Sequence, residues 1–376
     1  MNIVLGISGG ALYALWKLLK YLFDNGYWFI AVVIIVIVVI YYWKKGSDEV
    51  STSVAPEKDN EKEIVDDNEI IAEVYKPENT PKQVSGCLPC GKTLKKDRYR
   101  IFSYISHGGF GNTYLAEDTL LNKYVAIKEL FVRDICAREL QTEEVKISIG
   151  TNRTTFEGLK KKFIKEAKRL QAFHCPNIIR VYDCFEENGT AYYSMDYIHG
   201  DSLASVLKQK TRLSESYIRT LLSGLLSALN AVHNEKIWHL DIKPANLMLR
   251  NGKSLVLIDF GASKQYEDRE GKTLTSSSAM AYTSGYAPPE QISNNTKNIG
   301  AWTDIYALGA TLFNLLTGSK PPQTDEIISE GLPLFPSDVS NEMVKAVTAM
   351  MQPNRNARPQ SINEVARLLS ISIYEQ

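Results

Sequence analysis

At 376 residues the chain holds one large domain or two smaller ones, and 44% hydrophobic with 23% charged residues marks a folded protein rather than a solvated tail. Forty-three basic side chains balance forty-three acidic ones, so the overall charge gives no reason to expect nucleic acid as a partner. The balance hides unlike parts: residues 1–46 carry +3, residues 47–86 carry −7, and the remainder carries the difference.

The chain opens on a membrane-directed segment over residues 1–26. Ala11 to Phe23 is mostly apolar but includes Lys17 and Lys20. That pattern fits an amphipathic helix lying in the interface, or a poor first span turned back at Asp24-Asn25-Gly26. Tyr27 to Trp43 is an uncharged run with aromatics at both ends, long enough as a helix to cross about 25 Å of hydrocarbon. Its aromatic ends and the following Lys44-Lys45 predict a transmembrane helix over 27–43, with the lysine side in the cytoplasm. No small-residue cleavage site follows, which argues against a signal peptide. Residues 44–91 are acidic, poor in aromatics and broken by Pro56, Pro77 and Pro81, as expected of a flexible linker. Five cysteines do not suggest a disulfide framework. Cys87-Leu88-Pro89-Cys90 has metal-like spacing, but a structural zinc normally takes four ligands and no second such pair exists, so zinc would require two copies of the chain.

Chemistry-bearing patterns begin after residue 92. Ile105-Ser106-His107-Gly108-Gly109-Phe110-Gly111-Asn112-Thr113-Tyr114 is rich in glycine between strand-like stretches. Glycines let backbone N–H groups approach phosphate oxygens without an intervening Cβ, although such a run also serves as a plain hairpin turn. Tyr124-Val125-Ala126-Ile127-Lys128 is a short strand carrying one lysine. Phe156, Leu159, Phe163, Ala167 and Leu170 fall on one face of a helix. Glu166 adjoins that stripe among lysines, where an intrahelical ion pair would also suit it. Further on, His239-Leu240-Asp241-Ile242-Lys243-Pro244-Ala245-Asn246 is followed by the strand-like Leu255-Val256-Leu257-Ile258 and by Asp259-Phe260-Gly261. Two acids, a lysine and an asparagine are thereby gathered within a short span. Phosphoryl transfer needs such a set: a carboxylate to receive the proton of the attacking hydroxyl, and oxygen ligands to hold a metal on the phosphates.

In order and spacing these motifs resemble the eukaryotic-like protein serine/threonine kinase family, in its bacterial, membrane-anchored form, from about Tyr99 to Ser372. The resemblance implies an α+β, bilobal protein kinase fold over 92–372, with a β-rich small lobe to about residue 197 and a helical large lobe from about residue 198. Preceding it would stand the N-terminal transmembrane helix. ATP would lie against Ile105, Ser106, Gly108, Gly109, Phe110, Gly111, Thr113 and Ala126. Lys128, held by Glu166, would reach the α- and β-phosphates. Tyr193-Ser194-Met195-Asp196-Tyr197 is similar to the family hinge, with Met195 as gatekeeper and the backbone of Asp196, Tyr197 and Ile198 against adenine. Asp241 would take the substrate proton and Lys243 would neutralise the γ-phosphate. Asn246 and Asp259 would hold Mg2+. Thr283, closing over the catalytic aspartate, implies Ser/Thr acceptors on protein substrates.

Scaffold motifs follow the same pattern. Glu290 in Ala287-Pro288-Pro289-Glu290 would pair with Arg358, and Asp304 would brace the catalytic loop. Small-molecule phosphotransferases sharing the kinase core usually lack this arrangement. Three departures stand out. Ser106 replaces the family's first loop glycine, Pro288 replaces the alanine before the conserved Pro-Glu, and Leu240 replaces the arginine that receives an activation-loop phosphate. Activity without obligatory loop phosphorylation is therefore expected, although Thr273, Thr275, Ser276, Ser277 and Ser278 offer autophosphorylation sites. The competing class is a pseudokinase scaffold that binds nucleotide or partners without transfer. Against it, the residues with direct chemical roles are all present. Input would come from the membrane, a homodimer or a partner protein, with the kinase domain on the cytoplasmic side of the cell (inner) membrane.

Overall fold

The computed structural model describes residues 85–374 except 109–110, 149, 262–263, 266–281 and 294–295. The segment expected over 1–26, the span expected over 27–43, most of the acidic linker, Gly109, Phe110 and the hydroxyl cluster at 273–278 lie outside the described residues. Among the described residues no helix is long and apolar enough to cross a membrane.

Six antiparallel strands form the small lobe: β1 (Thr93–Leu94), β2 (Tyr99–Gly108), β3 (Gly111–Asp118), β4 (Lys123–Leu130), β7 (Val181–Glu187) and β8 (Thr190–Asp196), in the order β1-β2-β3-β4-β8-β7. The expected strand at 124–128 lies inside β4, and the hinge-like run ends β8. A short hairpin, β5 (Cys136–Arg138) with β6 (Val145–Ile147), follows β4. It had no signal in the sequence, because strands this short carry no readable alternation. The amphipathic stripe forms α1 (Gly150–Ala172), whose buried Phe156, Phe163, Ala167 and Leu170 pack toward β7 and β8.

Strand register sorts side chains onto two faces. Thr113 pairs with Lys128, which pairs with Tyr193; Leu115 pairs with Ala126, which pairs with Met195. These share the face that looks to α1 and the large lobe. Asn112, Tyr114, Glu129 and Tyr192 share the other face. There a second apolar cluster forms, from Tyr99, Ile101, Tyr114, Ile127 and Tyr192 together with Cys87 and Leu88. Cys87 and Leu88, which precede the expected domain start at residue 92, are buried in this apolar cover of the sheet. Cys90 is exposed, and among the described residues no three of His, Cys, Asp and Glu gather as a metal cluster.

The large lobe is built on α3 (Glu215–Asn234) and α5 (Ala301–Thr317), beside α2 (Leu203–Gln209), α4 (Pro289–Ile292), α6 (Thr324–Glu330), α7 (Asn341–Met350) and α8 (Ile362–Leu368). Every residue from Thr303 to Leu316 is buried, so α5 is the core of this lobe. Between helices lie β9 (Ile237–Trp238), the hairpin β10 (Leu247–Arg250) with β11 (Ser254–Leu257), and β12 (Lys264–Gln265) paired with β9. Two candidate site residues flank this hairpin: Asn246 immediately precedes β10, and Asp259 follows the end of β11. Asn177 fastens this hairpin to the loop after α1, donating its side-chain amide to the Leu255 carbonyl at 2.6 Å.

Candidate active site

The glycine-rich run forms the hairpin of β2 and β3, with Gly108 opposite Gly111, His107 opposite Asn112 and Ser106 opposite Thr113. Only glycine fits at 111, since a Cβ there would stand 1.7 Å from the Glu129 carbonyl oxygen. Ser106 pairs with Thr113 just past a register irregularity between Tyr104 and Ser106, and the strand continues to Gly108. Ile105 is partly exposed at the lobe surface.

Lys128 crosses from β4 to the large lobe and donates to Asp259 Oδ1 at 2.7 Å, while Glu166 Oε1 stands 3.9 Å away. Tyr193 donates its hydroxyl to the same Glu166 oxygen at 3.2 Å. The tyrosine is a positioning residue that sequence reading missed, because its partner is 27 residues away. Burial of the Lys128 ammonium opposes its charge, but Asp259, Tyr193 and Glu166 outweigh it and hold the lysine protonated well above its usual range. The Glu166 carboxyl is pushed up to about 7 because desolvation exceeds the pull of Lys128. Asp259 is drawn down to about 2, first by Lys128, which overcomes the cost of burial.

The catalytic loop has its own scaffold. Asp304, buried in α5, accepts the backbone amides of His239 and Leu240 at 2.8 Å each, and His233 Nε2 stands 2.8 Å away. Leu240 sits at φ +65°, which is strained for a branched side chain. Those bonds, with Gln291 donating to the Leu240 carbonyl at 2.7 Å, keep it there. Burial lowers the His239 pKa; its Nε2 stands 3.1 Å from the Ile258 carbonyl and its ring packs edge-on against Phe260 at 4.6 Å.

Asp241 projects from this loop. Its Oδ1 accepts the Thr283 hydroxyl at 2.9 Å, and Lys243 Nζ lies 2.8 Å from Oδ2. Lys243 also donates to Thr283 Oγ1 at 2.9 Å. Asn246 donates its amide nitrogen to the Asp241 carbonyl at 2.8 Å and to Oδ2 at 2.9 Å. That turns the amide oxygen of Asn246 away as a metal-binding atom. Asp259, at φ +60°, takes Lys128 and the Gly261 amide on Oδ1, leaving Oδ2. Two oxygens from separate loops, with the remaining positions filled by phosphate and water, suit magnesium. The residues present fit the metal.

At the hinge, Met195 lies beside Ala126 across β4 and β8. The Asp196 amide bonds to the Arg180 carbonyl at 2.9 Å, so that nitrogen is not available to a base. The Asp196 carboxylate joins the lobes, accepting from Tyr182 of β7 and from Arg250 of β10 at 3.3 Å. Below the site, Arg358 reaches Glu290 Oε1 at 2.7 Å and Oε2 at 3.2 Å, with its side chain wholly buried.

The structure thus brings Lys128, Glu166, Asp241, Lys243, Asn246, Asp259 and Thr283 to one cleft. Comparison with known proteins agrees. Residues 99–367 match the family model described as the protein kinase domain. Serine/threonine-protein kinase B of a Synechocystis species is 31% identical over 80% of this chain and 51% of its own length. Serine/threonine-protein kinase PknA of a Nostoc species is 34% identical over 62% of this chain and 41% of its own. A solved structure, PpkA-294 in its apo form, superposes with a TM-score of 0.65 at 31% identity, covering 76% of this chain and all of the other. The chain belongs to the eukaryotic-like serine/threonine protein kinase family. It spans about half the length of the curated relatives it matches.

Proposed function

We propose that this protein is a membrane-anchored serine/threonine kinase that moves the γ-phosphate of ATP to protein hydroxyls, itself included. The observation that carries the reading is the triangle of Asp241, Lys243 and Thr283. One oxygen of Asp241 is fixed by Thr283 and the other by Lys243 and Asn246, which aims the carboxylate where an acceptor hydroxyl must enter. The acceptor oxygen bonds to the γ-phosphorus as the bond to the β–γ bridging oxygen breaks. Asp241 receives the hydroxyl proton, and ADP leaves with the electron pair. Lys243 neutralises charge growing on the transferred group. Magnesium, held by Asn246 and Asp259 when bound, supplies charge neutralisation on the phosphates. Because the transition state is loose, most acceleration comes from holding reactants in line and from fixed charge. The run at 27–43 and Lys44-Lys45 support a membrane anchor with the kinase on the cytoplasmic side.

The test is transfer of labelled phosphate from MgATP by the full chain in nanodiscs, to itself and to a generic protein. Asp241→Asn and Lys128→Met serve as controls. Transfer to serine and threonine that both substitutions abolish supports the enzyme. Nucleotide binding without transfer would favour a pseudokinase scaffold, the reading that Leu240 and Ser106 invite.

A further inference from the structure

The buried Glu129, next in sequence to Lys128 but on the opposite face of the sheet, takes no part in the chemistry above. It is fully buried, yet its carboxylate is an ion-pair partner, and such a group survives only if its oxygens are filled. Oε1 accepts Arg138 at 2.6 Å and the Tyr192 hydroxyl at 2.8 Å; Oε2 accepts the Tyr114 hydroxyl at 2.7 Å and the Asn112 amide at 3.1 Å.

Three of those four donors also grip the segment where the described chain begins. Arg138 Nε and the Asn112 amide both donate to the Gly86 carbonyl, at 3.0 Å and 3.4 Å. Tyr114 accepts the Leu88 amide at 3.1 Å while donating its own proton to Glu129. Gly86, at φ +80°, lies against the Phe131 ring. Asn112 belongs to the glycine-rich hairpin, its Oδ1 stands 2.9 Å from His107 Nδ1 on the facing strand, and neighbouring Gly111 rests on the Glu129 backbone. The same carboxylate therefore holds the phosphate-side hairpin and the strap formed by residues 85–88.

We propose that Glu129 is a positioning residue for the glycine-rich loop and that the strap at 85–88 sets its position, so that displacing the strap loosens the loop and weakens ATP binding. The inference rests on reading residues 105–113 as the ATP phosphate loop. The linkage is short: from Gly86 or Leu88 to Asn112 or Tyr114, to Glu129, to the hairpin. Since the strap continues covalently into the N-terminal 84 residues, tension or binding there reaches the site through two backbone groups.

A buried network that merely satisfies Glu129 would alter stability without addressing the loop, and a double-mutant cycle separates the two. In the full chain, Leu88→Asp and, as a milder variant, Gly86→Ala displace the strap; Asn112→Ala removes the Asn112 bonds to Glu129 and to Gly86 while leaving those of Arg138 and Tyr114. Hydrogen exchange of residues 105–116 and KM for ATP are measured for each single variant and for Gly86→Ala with Asn112→Ala. Faster exchange confined to the hairpin is expected in each, with KM for ATP raised about threefold to tenfold and kcat within about twofold. The effects of the double variant should be less than additive, because Asn112→Ala has already cut one of the two routes and only the one through Tyr114 remains. Strap variants that lower Tm yet leave hairpin exchange unchanged, or effects that add in the double variant, overturn the proposal. Should the wild type transfer no phosphate, the exchange cycle still decides the coupling, and only the kinase reading fails.

Discussion

Thr283 donates its hydroxyl to Asp241 Oδ1 at 2.9 Å, closing the last described stretch before α4 onto the catalytic loop. Removing that hydroxyl frees one carboxylate oxygen and takes away a partner of Lys243. Thr283→Val is expected to lower kcat about tenfold or more, the loss of roughly one charge-assisted bond. Thr283→Ser should keep most of it. Single-turnover rates with saturating ATP check this, and equal rates for both variants would detach Thr283 from the chemistry.

The lysine between two carboxylates is expected to give phosphate transfer a pH dependence. With Glu166 at about 7, its carboxyl is mostly protonated below that pH and Lys128 belongs to Asp259. As pH rises through 7, ionised Glu166 competes for the lysine and releases Asp259 for magnesium. kcat/KM for ATP should therefore climb between pH 6 and 8, and Glu166→Gln should be low and flat. Stability runs the other way. A carboxyl whose folded pKa is raised stabilises the fold below its unfolded value near 4.5, and that contribution is lost as pH rises through about 7. Glu166→Gln should then gain Tm relative to wild type at pH 8 and not at pH 4, measured by thermal melts.

Leu240 removes the usual contact for an activation-loop phosphate. Its side chain is buried, and its backbone is fixed by Asp304 and Gln291, so loop geometry is already set. Phosphatase-treated protein should keep its rate of transfer to an exogenous protein within about twofold. A loss reversed by rephosphorylation in the region 273–278 would contradict this.

Glu290 and Arg358 form a bidentate pair inside the large lobe. Arg358→Met leaves a buried carboxylate without its partner, at a cost of about 3–5 kcal/mol. A fall in Tm of roughly 10 °C is expected, with KM for ATP unchanged in the protein that remains folded. A shift under 2 °C, which about 0.5 kcal/mol would produce, would show that water reaches the carboxylate.

Legibility from sequence followed the spacing of the contacts. Asp241, Lys243 and Asn246 lie within six residues, and Asp259 follows a strand that its continuous apolar run reveals. The strip of Phe156, Phe163 and Ala167 announced α1, and with it Glu166. What stayed hidden depends on register. Nothing local distinguishes Glu129 from a solvated strand acid, because Tyr192, which bonds it, is 63 residues away. The partners of Tyr193 and Asn177, Glu166 and the Leu255 carbonyl, and the strap were hidden for the same reason. Cys87 and Leu88 looked like the end of a linker, since a two-residue apolar anchor has no period.

The carboxylate of Asp304 has a consequence for how the molecule is born. It lies 64 residues beyond Leu240 along the chain. While a ribosome is still making α5, the emerged catalytic loop lacks the acceptor that holds its two amides and its left-handed residue. Every acidic and basic group of the cleft has by then been synthesised, yet the loop that aims Asp241 has no support. The loop that carries Asp241 thus gains its support only when the large-lobe core closes around Asp304.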